Sequence, residues 1–272
     1  MLAPAIAVFL APMVALVLAS LHGPQGWTLA NYAAAISLQP AGPGLPSLGM
    51  AALRSVALAT AATLVAFILG TFVVGAGFVS HRWRWLRVAA TAPLAVSSVV
   101  VGVGLLLGVA VHLRPVTSAT SAVLLVCAQV LIALPLVVRI LALGADALDP
   151  GLVAAARTLG AHGWRLVLRT VAPLMKGSVA AALGLAFAVA VGEFGASAFL
   201  AGPASPTLPT AIARTLARPG SESLGIATAG GLILGLIAGA AMLLARGRGA
   251  PVTPATHDPP PRGGRRSARR SG

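Results

Sequence analysis

The sequence predicts an all-α membrane protein, and three observations support that prediction. Hydrophobic residues make up 58% of the 272 positions and charged residues only 9%. Soluble domains carry about 25% charged residues, so a chain this apolar cannot cover itself with a wetted surface. Six apolar stretches of about 20 residues, the length of a bilayer-crossing helix, take up most of the chain. Runs such as 57–74 do not alternate between apolar and polar residues, which excludes a membrane β-barrel.

We expect six transmembrane helices, and the chain divides around them. Segment 1–49 holds the first helix and an outer loop, 50–245 forms the membrane domain, and 246–272 is a basic tail. The tail lacks apolar periodicity, which predicts disorder. A signal peptide is the weaker interpretation of the first helix, because no Lys or Arg precedes it. The approximate helix bounds are 2–21, 56–79, 88–111, 118–143, 179–200 and 224–245.

The distribution of basic residues predicts that both ends of the chain are cytoplasmic. With that orientation, fifteen of the nineteen Lys and Arg residues fall in cytoplasmic segments, seven of them in the tail, and four fall outside. Inner loops of membrane proteins carry an excess of Lys and Arg, so this orientation is favoured. The net charge of +14 is therefore mainly a topology signal. For the tail we expect contact with anionic lipid or solvent, and no nucleic-acid partner.

Two local patterns predict contacts within the membrane. The motifs Gly231-x-x-x-Gly235-x-x-x-Gly239 and Gly104-x-x-x-Gly108 each place glycines on one helix face. Glycine at this spacing lets backbones approach closely in lipid, so we expect both faces to pack against other helices. The turn 81–87 alternates Arg and Trp, which predicts an aromatic and basic anchor at the membrane interface.

The stretch between the fourth and fifth predicted helices, residues 144–173, is the most informative one. Asp149 can cap a helix N-terminus, with Pro150 at the first helical position. Gly160 predicts the end of that helix, and a second amphipathic turn runs from Trp164 to Pro173. We therefore expect two short helices at the membrane surface. An interfacial segment with only a structural role is the alternative.

The sequence AAARTLGA at 154–161, followed by VAPL at 171–174, resembles the "EAA" loop of permeases of binding-protein-dependent ABC importers. In that family the loop forms coupling helices that dock into a cleft of the ATPase subunit. The family's Glu falls on Ala154 here, so a charged contact to the ATPase is absent at that position. Docking would then rest on helix shape, Arg157, Gly160 and the apolar side chains. The resemblance assigns the coupling role to Ala155, Ala156, Arg157, Gly160, Ala161 and Pro173.

A second resemblance concerns the type of solute. The sequences GEFGA at 192–196, TLPTAI at 207–212 and PLAVS at 93–97 are similar to permeases for ferric iron, thiamine, sulfate and molybdate. The sequence RPG at 218–220 favours iron or thiamine, with an oxyanion next. The chain resembles the C-terminal half of a fused iron/thiamine permease, which leaves open whether an upstream half is missing.

Glu193 is the only acidic residue inside a predicted membrane helix. A carboxylate in lipid costs about 3 kcal/mol or more, so it should face the bundle interior or a water-filled path. One interpretation places Glu193, Phe194 and Gly195 on the translocation path. The other is a carboxyl group that is hydrogen-bonded to a neighbouring helix and has only a structural role.

The resemblance implies a permease subunit that moves a small solute across the inner membrane by alternating access. It also implies two copies of an ABC ATPase, a periplasmic or lipid-anchored substrate-binding protein, and a second permease, either a second copy or a paralogue. The sequence lacks G-x-x-x-x-G-K-[ST], and its His residues lie in separate segments. We therefore expect no ATP site, no catalytic residues, no cofactor and no metal. The alternatives are a secondary transporter or channel and a non-transporting membrane scaffold.

Overall fold

The computed structural model describes residues 2–24, 26–40, 42, 44–112 and 117–246, and α-helices dominate this part of the chain. Most of the predicted tail, from residue 247 on, lies outside the described residues. Two short strands, β1 (His22–Gly23) and β2 (Gly26–Trp27), pair antiparallel. The helices are α1 (Leu2–Ser20), α2 (Ala30–Ile36), α3 (Leu48–Val79), α4 (Trp85–Thr91), α5 (Ser98–Leu105), α6 (Ser118–Asp146), α7 (Pro150–Thr158), α8 (Gly163–Leu166), α9 (Ala172–Leu174), α10 (Lys176–Val191), α11 (Ser197–Leu200), α12 (Leu208–Leu216) and α13 (Ser221–Arg246).

The all-α, multi-pass membrane fold is confirmed. Among the described residues, α3, α6 and α13 are long and apolar enough to cross a bilayer. Two bent pairs raise the count to five if each is one crossing: Arg82–Ala95 with Ser98–Val109, and Gly163–Leu174 with Lys176–Val191. In α1 the apolar stretch Leu10–Ser20 is shorter than a full crossing. The total of six crossings therefore stays a prediction.

The third predicted helix, 88–111, is wrong as a single helix. Its two halves are bent by 91°, so only one of them can follow the membrane normal. Pro93 cannot donate a backbone hydrogen bond, and the chain tightens into a 3-10 turn at Ala92–Ala95. Val96 and Ser97 are then extended before α5 begins. The apolar run of the sequence hid this break, because hydropathy does not depend on backbone direction.

The core forms where α6 packs against α3 and α10. Small residues bring these helices close together, as dispersion-driven packing in lipid requires. A Cβ atom added at Gly70 of α3 would lie 2.6 Å from Val137 Cγ1 of α6. A Cβ atom at Gly184 of α10 would collide with Ala245 of α13. These glycines therefore set the spacing between neighbouring helices.

The glycine motifs of the sequence do not provide these contacts. A Cβ atom at Gly104, Gly108, Gly231, Gly235 or Gly239 would meet no atom within 4 Å. The prediction that these faces pack against other helices is therefore wrong within the described part of the chain. Spacing identified glycines that share a face, but it could not tell which face the bundle covers.

Two predicted loops contain short helices. In the loop 22–49, Asn31 of α2 is buried, and its Nδ2 donates to the carbonyls of Ser20 and His22 at 2.8 and 3.0 Å. In the loop 201–223, the first backbone N–H of α12 (Leu208) donates to Ser55 Oγ at 2.7 Å. Helices this short depend on tertiary contacts rather than on local propensity, so the sequence did not reveal them.

Candidate functional site

The first candidate site is the segment 149–175 between α6 and α10, and its first helix begins as predicted. Asp149 Oδ1 accepts a hydrogen bond from the Gly151 N–H at 2.7 Å, and Pro150 occupies the first turn of α7. The carboxylate satisfies one of the backbone donors that a helix N-terminus leaves without a partner. The predicted N-cap is confirmed.

The predicted helix end at Gly160 is also confirmed. Gly160 has a φ of +87°, in the left-handed region that glycine adopts without strain. The Gly160 N–H donates to the Arg157 carbonyl, and the Ala161 N–H donates to the Ala156 carbonyl, both at 3.0 Å. These two bonds form a Schellman motif, which satisfies the last carbonyls of α7. Residues 156, 157, 160 and 161 of the predicted coupling set thus lie together at one helix end.

One face of α7 packs against the bundle. Val153, Ala156 and Ala161 are partly buried against the core cluster of α3, α6 and α10. The guanidinium group of Arg157 donates to the Phe78 carbonyl at 3.0 Å, in the last turn of α3. A cation at a helix C-terminus is favourable, because the unpaired carbonyls carry partial negative charge. Arg157 therefore fastens α7 to α3.

An adjacent face of α7 is apolar and exposed. Leu152 and Ala155 are exposed, and 89% of the Leu159 side chain is accessible. Ala154, the position of the family's Glu, is also exposed. A Cβ atom at Gly160 would meet no atom within 4 Å, so this corner stays open. Leu152, Ala155, Leu159 and Gly160 form what we call the α7 outer face.

The rest of the segment runs as one helical stretch, Gly163–Leu174, along the end of α3. The Trp164 ring meets the Phe72 ring edge-on, with centroids 4.9 Å apart. Leu166 and Val171 are buried, whereas Pro173 is exposed in the last turn. An apolar cavity of about 120 Å³ lies between this stretch and the helices α3 and α6. The predicted second surface helix is present, and space remains beneath it.

The second candidate site is the turn 192–197, where the fifth predicted helix breaks. α10 ends at Val191, so the prediction of a continuous helix over 179–200 is wrong. Only 7% of Glu193 is accessible. Its carboxylate accepts hydrogen bonds from the backbone N–H groups of Ala196 at 2.9 Å and Ser197 at 3.1 Å. The Ser197 hydroxyl also donates to the Glu193 carbonyl at 2.9 Å.

Glu193 therefore caps the short helix α11 from within its own segment. Both carboxylate oxygens accept backbone N–H groups, which the break would otherwise leave unpaired. This is the hydrogen-bonded carboxyl of the structural interpretation, although the partners belong to its own turn and not to a neighbouring helix. The neighbouring Phe194 is exposed. A role for Glu193, Phe194 and Gly195 on a translocation path stays a prediction.

Glycines let the turn 192–197 pack tightly against α5. A Cβ atom at Gly195 would collide with Ser98 Oγ. A Cβ atom at Gly102 would lie 2.6 Å from the Ala196 Cα atom, which is backbone. Close approach of two backbones needs glycine at the contact, so Gly102 and Gly195 fix the position of the turn against α5.

Gln129 is a site residue that the sequence analysis missed. Only 2% of it is accessible, and its Nε2 donates to the Ala190 carbonyl at 3.0 Å. That carbonyl lies in the last turn of α10 and also accepts the Glu193 N–H at 3.3 Å. Gln129 Oε1 is buried without a hydrogen-bond partner among the described residues. The sequence did contain a signal for this residue, because Gln129 is the only Gln in the apolar stretch that forms α6.

The two candidate sites lie at opposite ends of α10. The helix has 16 residues, so about 24 Å separates the segment 149–175 from the turn 192–197. The structure thus brings the predicted coupling residues together at one end and Glu193, Phe194 and Gly195 together at the other. The two groups do not form one site.

Known proteins similar to the chain include two bacterial permeases. The molybdenum transport system permease protein ModB of Haemophilus influenzae is 39% identical over 100 residues, which is 36% of this chain and 44% of the relative. The protein of the same name from Escherichia coli K12 is 36% identical over 101 residues, with the same shares. The chain therefore spans less than half the length of the curated relatives that it matches.

A family comparison covers more of the chain. The match extends over residues 75–247, which is more than half of the sequence. It includes the segment 149–175, the turn 192–197 and the long helices α6 and α13. The chain belongs to the family of binding-protein-dependent transport system inner membrane components.

Proposed function

We propose that the chain is the membrane-spanning subunit of an importer that receives its solute from a binding protein and its energy from a separate ATPase. The family supports this proposal, and the observation that carries it is the exposed apolar α7 outer face. An exposed apolar patch marks a contact surface for another protein or for the membrane, and the family favours a protein for a patch that follows the end of α6. The chain itself would be no enzyme, since ATP hydrolysis would take place on the partner.

The α7 outer face is the proposed docking surface for that ATPase. Leu159 and Leu152 would enter a cleft of the partner, and the open corner at Gly160 would allow its backbone to come close. Arg157 would contribute indirectly, because its guanidinium group is already bonded to the Phe78 carbonyl. With Ala154 at the position of the family's Glu, apolar contact would replace a charged one.

Movement of the partner would reach the membrane helices through two contacts. Trp164 packs against Phe72, so a shift of the segment 149–175 would push on α3. The same segment leads through Pro173 and Met175 directly into α10, with a bend of 84°. The apolar cavity beneath the segment provides room for a small displacement. Alternating access would then move α3 and α10 relative to α6.

The proposed solute is a tetrahedral oxyanion of the molybdate class. This rests on the relatives, which are named as molybdenum transport permeases. Ferric iron or thiamine, which the sequence RPG at 218–220 favours, is the alternative. In the structure Arg218 Nη2 donates to the Gly44 carbonyl at 2.7 Å, so this arginine connects two outer loops and adds no support for either solute.

A complete importer would contain further subunits. We propose a second permease, either a copy of this chain or a paralogue, two copies of the ATPase, and a binding protein on the outer side. Both ends of the chain would be cytoplasmic, as the distribution of basic residues predicts. Glu193, Phe194 and Gly195 would shape the path, with the Glu193 carboxylate holding the turn rather than the solute.

Docking can be tested by purifying the tagged chain from native membranes in mild detergent and identifying its partners by mass spectrometry. We expect a P-loop ATPase with the natural chain, and loss of that ATPase with Leu159→Glu, which places a charge in the proposed cleft. Gly160→Leu should have the same effect through a strained helix end, with the chain still inserted in the membrane. Leu38→Glu, at an exposed leucine far from α7, is the matched control and should retain the ATPase.

Two results would contradict the docking proposal. Recovery of the ATPase with Leu159→Glu and with Gly160→Leu would remove α7 from the interface. Repeated recovery of a stable chain with no ATPase would favour a secondary transporter or a scaffold.

The solute is tested separately, by uptake of labelled molybdate, ferric iron and thiamine in cells that contain or lack the chain. Uptake of thiamine or iron, with no change for molybdate, would overturn the oxyanion proposal.

A further inference from the structure

The turn between α3 and α4 concentrates positive charge and tryptophan. Arg82, Trp83 and Arg84 lie in a 3-10 turn, and Trp85 begins α4. Both arginines are exposed, and the tryptophans are 48% and 59% accessible. Exposed Trp beside Arg is typical of the level at which lipid headgroups meet hydrocarbon.

Contacts place this turn at the end of two membrane-crossing helices. It follows α3, which ends at Val79. Arg87 Nη1 forms an ion pair with Asp146 Oδ1 at 3.0 Å, and Asp146 is the last residue of α6. Because α3 and α6 are both long apolar helices, their shared end lies at a membrane surface. The turn is therefore at headgroup level.

The acidic residues near this end are already engaged. Asp146 pairs with Arg87, and Asp149 accepts a hydrogen bond from the N-terminus of its own helix. In the part of the chain that the structure describes, no carboxylate or other acceptor bonds to Arg82 or Arg84. Among the described residues, these two exposed guanidinium groups are thus left without a counter-ion.

Two of the arginines also crowd together. A Cβ atom at Gly77 would lie 3.4 Å from Arg87 Nη2 and 3.8 Å from Arg84 Cγ, so both side chains lie close to Gly77. Arg87 Nε is buried and has no acceptor among the described residues. Arg87 is already paired with Asp146, so the charge that is left for an external anion belongs to Arg82 and Arg84.

We propose that residues 82–87 form a binding site for the phosphate of an anionic phospholipid. Arg82 and Arg84 would hold the phosphate, Trp83 and Trp85 would lie beside the glycerol and upper acyl region, and the exposed Val88 would contact the acyl chains. Basic residues at the cytoplasmic membrane surface attract anionic lipid in this way. The site does not depend on which solute the protein carries or on its ATPase.

Fluorescence quenching by brominated lipids tests the site on the full chain. In a Trp27→Phe, Trp164→Phe background, only Trp83 and Trp85 report. Vesicles of phosphatidylcholine would carry equal fractions of either brominated phosphatidylglycerol or brominated phosphatidylcholine. We expect stronger quenching by brominated phosphatidylglycerol than by brominated phosphatidylcholine. The double variant Arg82→Gln, Arg84→Gln should lower the ratio of quenching by phosphatidylglycerol to quenching by phosphatidylcholine at least about fivefold.

The matched control is the double variant Arg165→Gln, Arg169→Gln, which removes the same charge from two exposed arginines of the segment 149–175. It should keep the preference. Equal quenching by both lipids would overturn the proposal. An equal loss of the preference in the control would also overturn it, in favour of general charge attraction. Loss of the preference on adding inorganic phosphate would show a site for a soluble anion and would also overturn it.

Trp164 packs against Phe72, so its replacement could prevent folding of the reporter chain. A second measurement therefore uses the natural tryptophans and spin-labelled lipids. We expect a larger motionally restricted fraction for labelled phosphatidylglycerol than for labelled phosphatidylcholine, and a drop for the former with Arg82→Gln, Arg84→Gln. Equal fractions for the two lipids in the natural chain would overturn the proposal.

Discussion

The two ends of α10 are built in opposite ways. At the end near Glu193, several polar groups are buried and hydrogen-bonded. The Glu193 carboxylate accepts two backbone N–H groups and Gln129 Nε2 donates to the Ala190 carbonyl, whereas Gln129 Oε1 has no partner among the described residues. At the other end, the polar termini of α7 are also satisfied, by Asp149 and the Gly160 turn. There, however, Leu159 is 89% accessible, against 47% for Phe194 at the other end.

This difference separates a hydrogen-bonded break between two helices from the surface that we propose to contact the ATPase. Unpaired polar groups inside a membrane bundle are costly, so the hydrogen bonds that Glu193 accepts stabilise the break at 192–197. The α7 outer face has the reverse property. The backbone groups at both ends of α7 are hydrogen-bonded, whereas Leu152 and Leu159 are exposed. We expect substitutions at the first end to affect the stability of the whole bundle, and those at the second end to act locally or on partner binding.

The largest effect is expected for Gly102→Ala. The added methyl group would lie 2.6 Å from the Ala196 Cα atom, and neither backbone can move aside cheaply. We expect a loss of about 3 kcal/mol, measured as a lower midpoint of thermal unfolding in mild detergent. Gly104→Ala is the matched control, because its methyl group meets no atom within 4 Å. Equal midpoints for the two variants would contradict tight packing of the turn 192–197 against α5.

Glu193→Ala should have the next largest effect. It leaves the N–H groups of Ala196 and Ser197 buried without acceptors, and we expect a loss of about 2 kcal/mol or more in unfolding free energy. Glu193→Gln keeps one acceptor oxygen and should lose about half as much. If Glu193→Ala unfolds like the natural chain but abolishes uptake, the carboxylate acts on the solute path and not as a cap.

Gly160→Ala sharpens the comparison at the other end of α10. Alanine at a φ of +87° is strained by about 1–2 kcal/mol, although the methyl group itself meets open space. We expect faster amide hydrogen exchange in α7, with the unfolding midpoint of the bundle almost unchanged. Gly235→Ala, in a regular helix, is the control and should not speed exchange. A large drop in the midpoint with Gly160→Ala would mean that the helix end supports the whole fold.

The smallest of these effects is expected for Asp149→Ala. Loss of the N-cap hydrogen bond should cost about 1 kcal/mol and loosen the first turn of α7. Limited proteolysis of the segment 149–175 is the measurement, and Asp149→Asn should protect the segment as well as aspartate does. Equal cleavage of the alanine variant and the natural chain would show that the Asp149 side chain does not stabilise α7.

Local signals in the sequence predicted α7 well. Asp149, Pro150 and Gly160 act within a few residues of their own positions, so their roles follow from backbone chemistry alone. Pro93 was a local signal for the break after Ala95, which the apolar run obscured, whereas the break after Val191 was not predictable in this way. The break after Val191 depends on Gln129 and Gly102, which are distant in sequence. The same holds for α2 and α12, which are too short to form without tertiary contacts.

The sequence by itself determined the membrane setting, the helical class, the capped surface helix and the resemblance to binding-protein-dependent permeases. These follow from composition and short-range pattern. Only the tertiary structure decided which glycines lie at contacts between helices and where two predicted helices break. It also decided that the Glu193 carboxylate accepts N–H groups from its own turn. Those outcomes depend on which helix faces meet. In a bilayer, both the lipid-facing and the buried faces of a helix are apolar, so hydropathy cannot distinguish them.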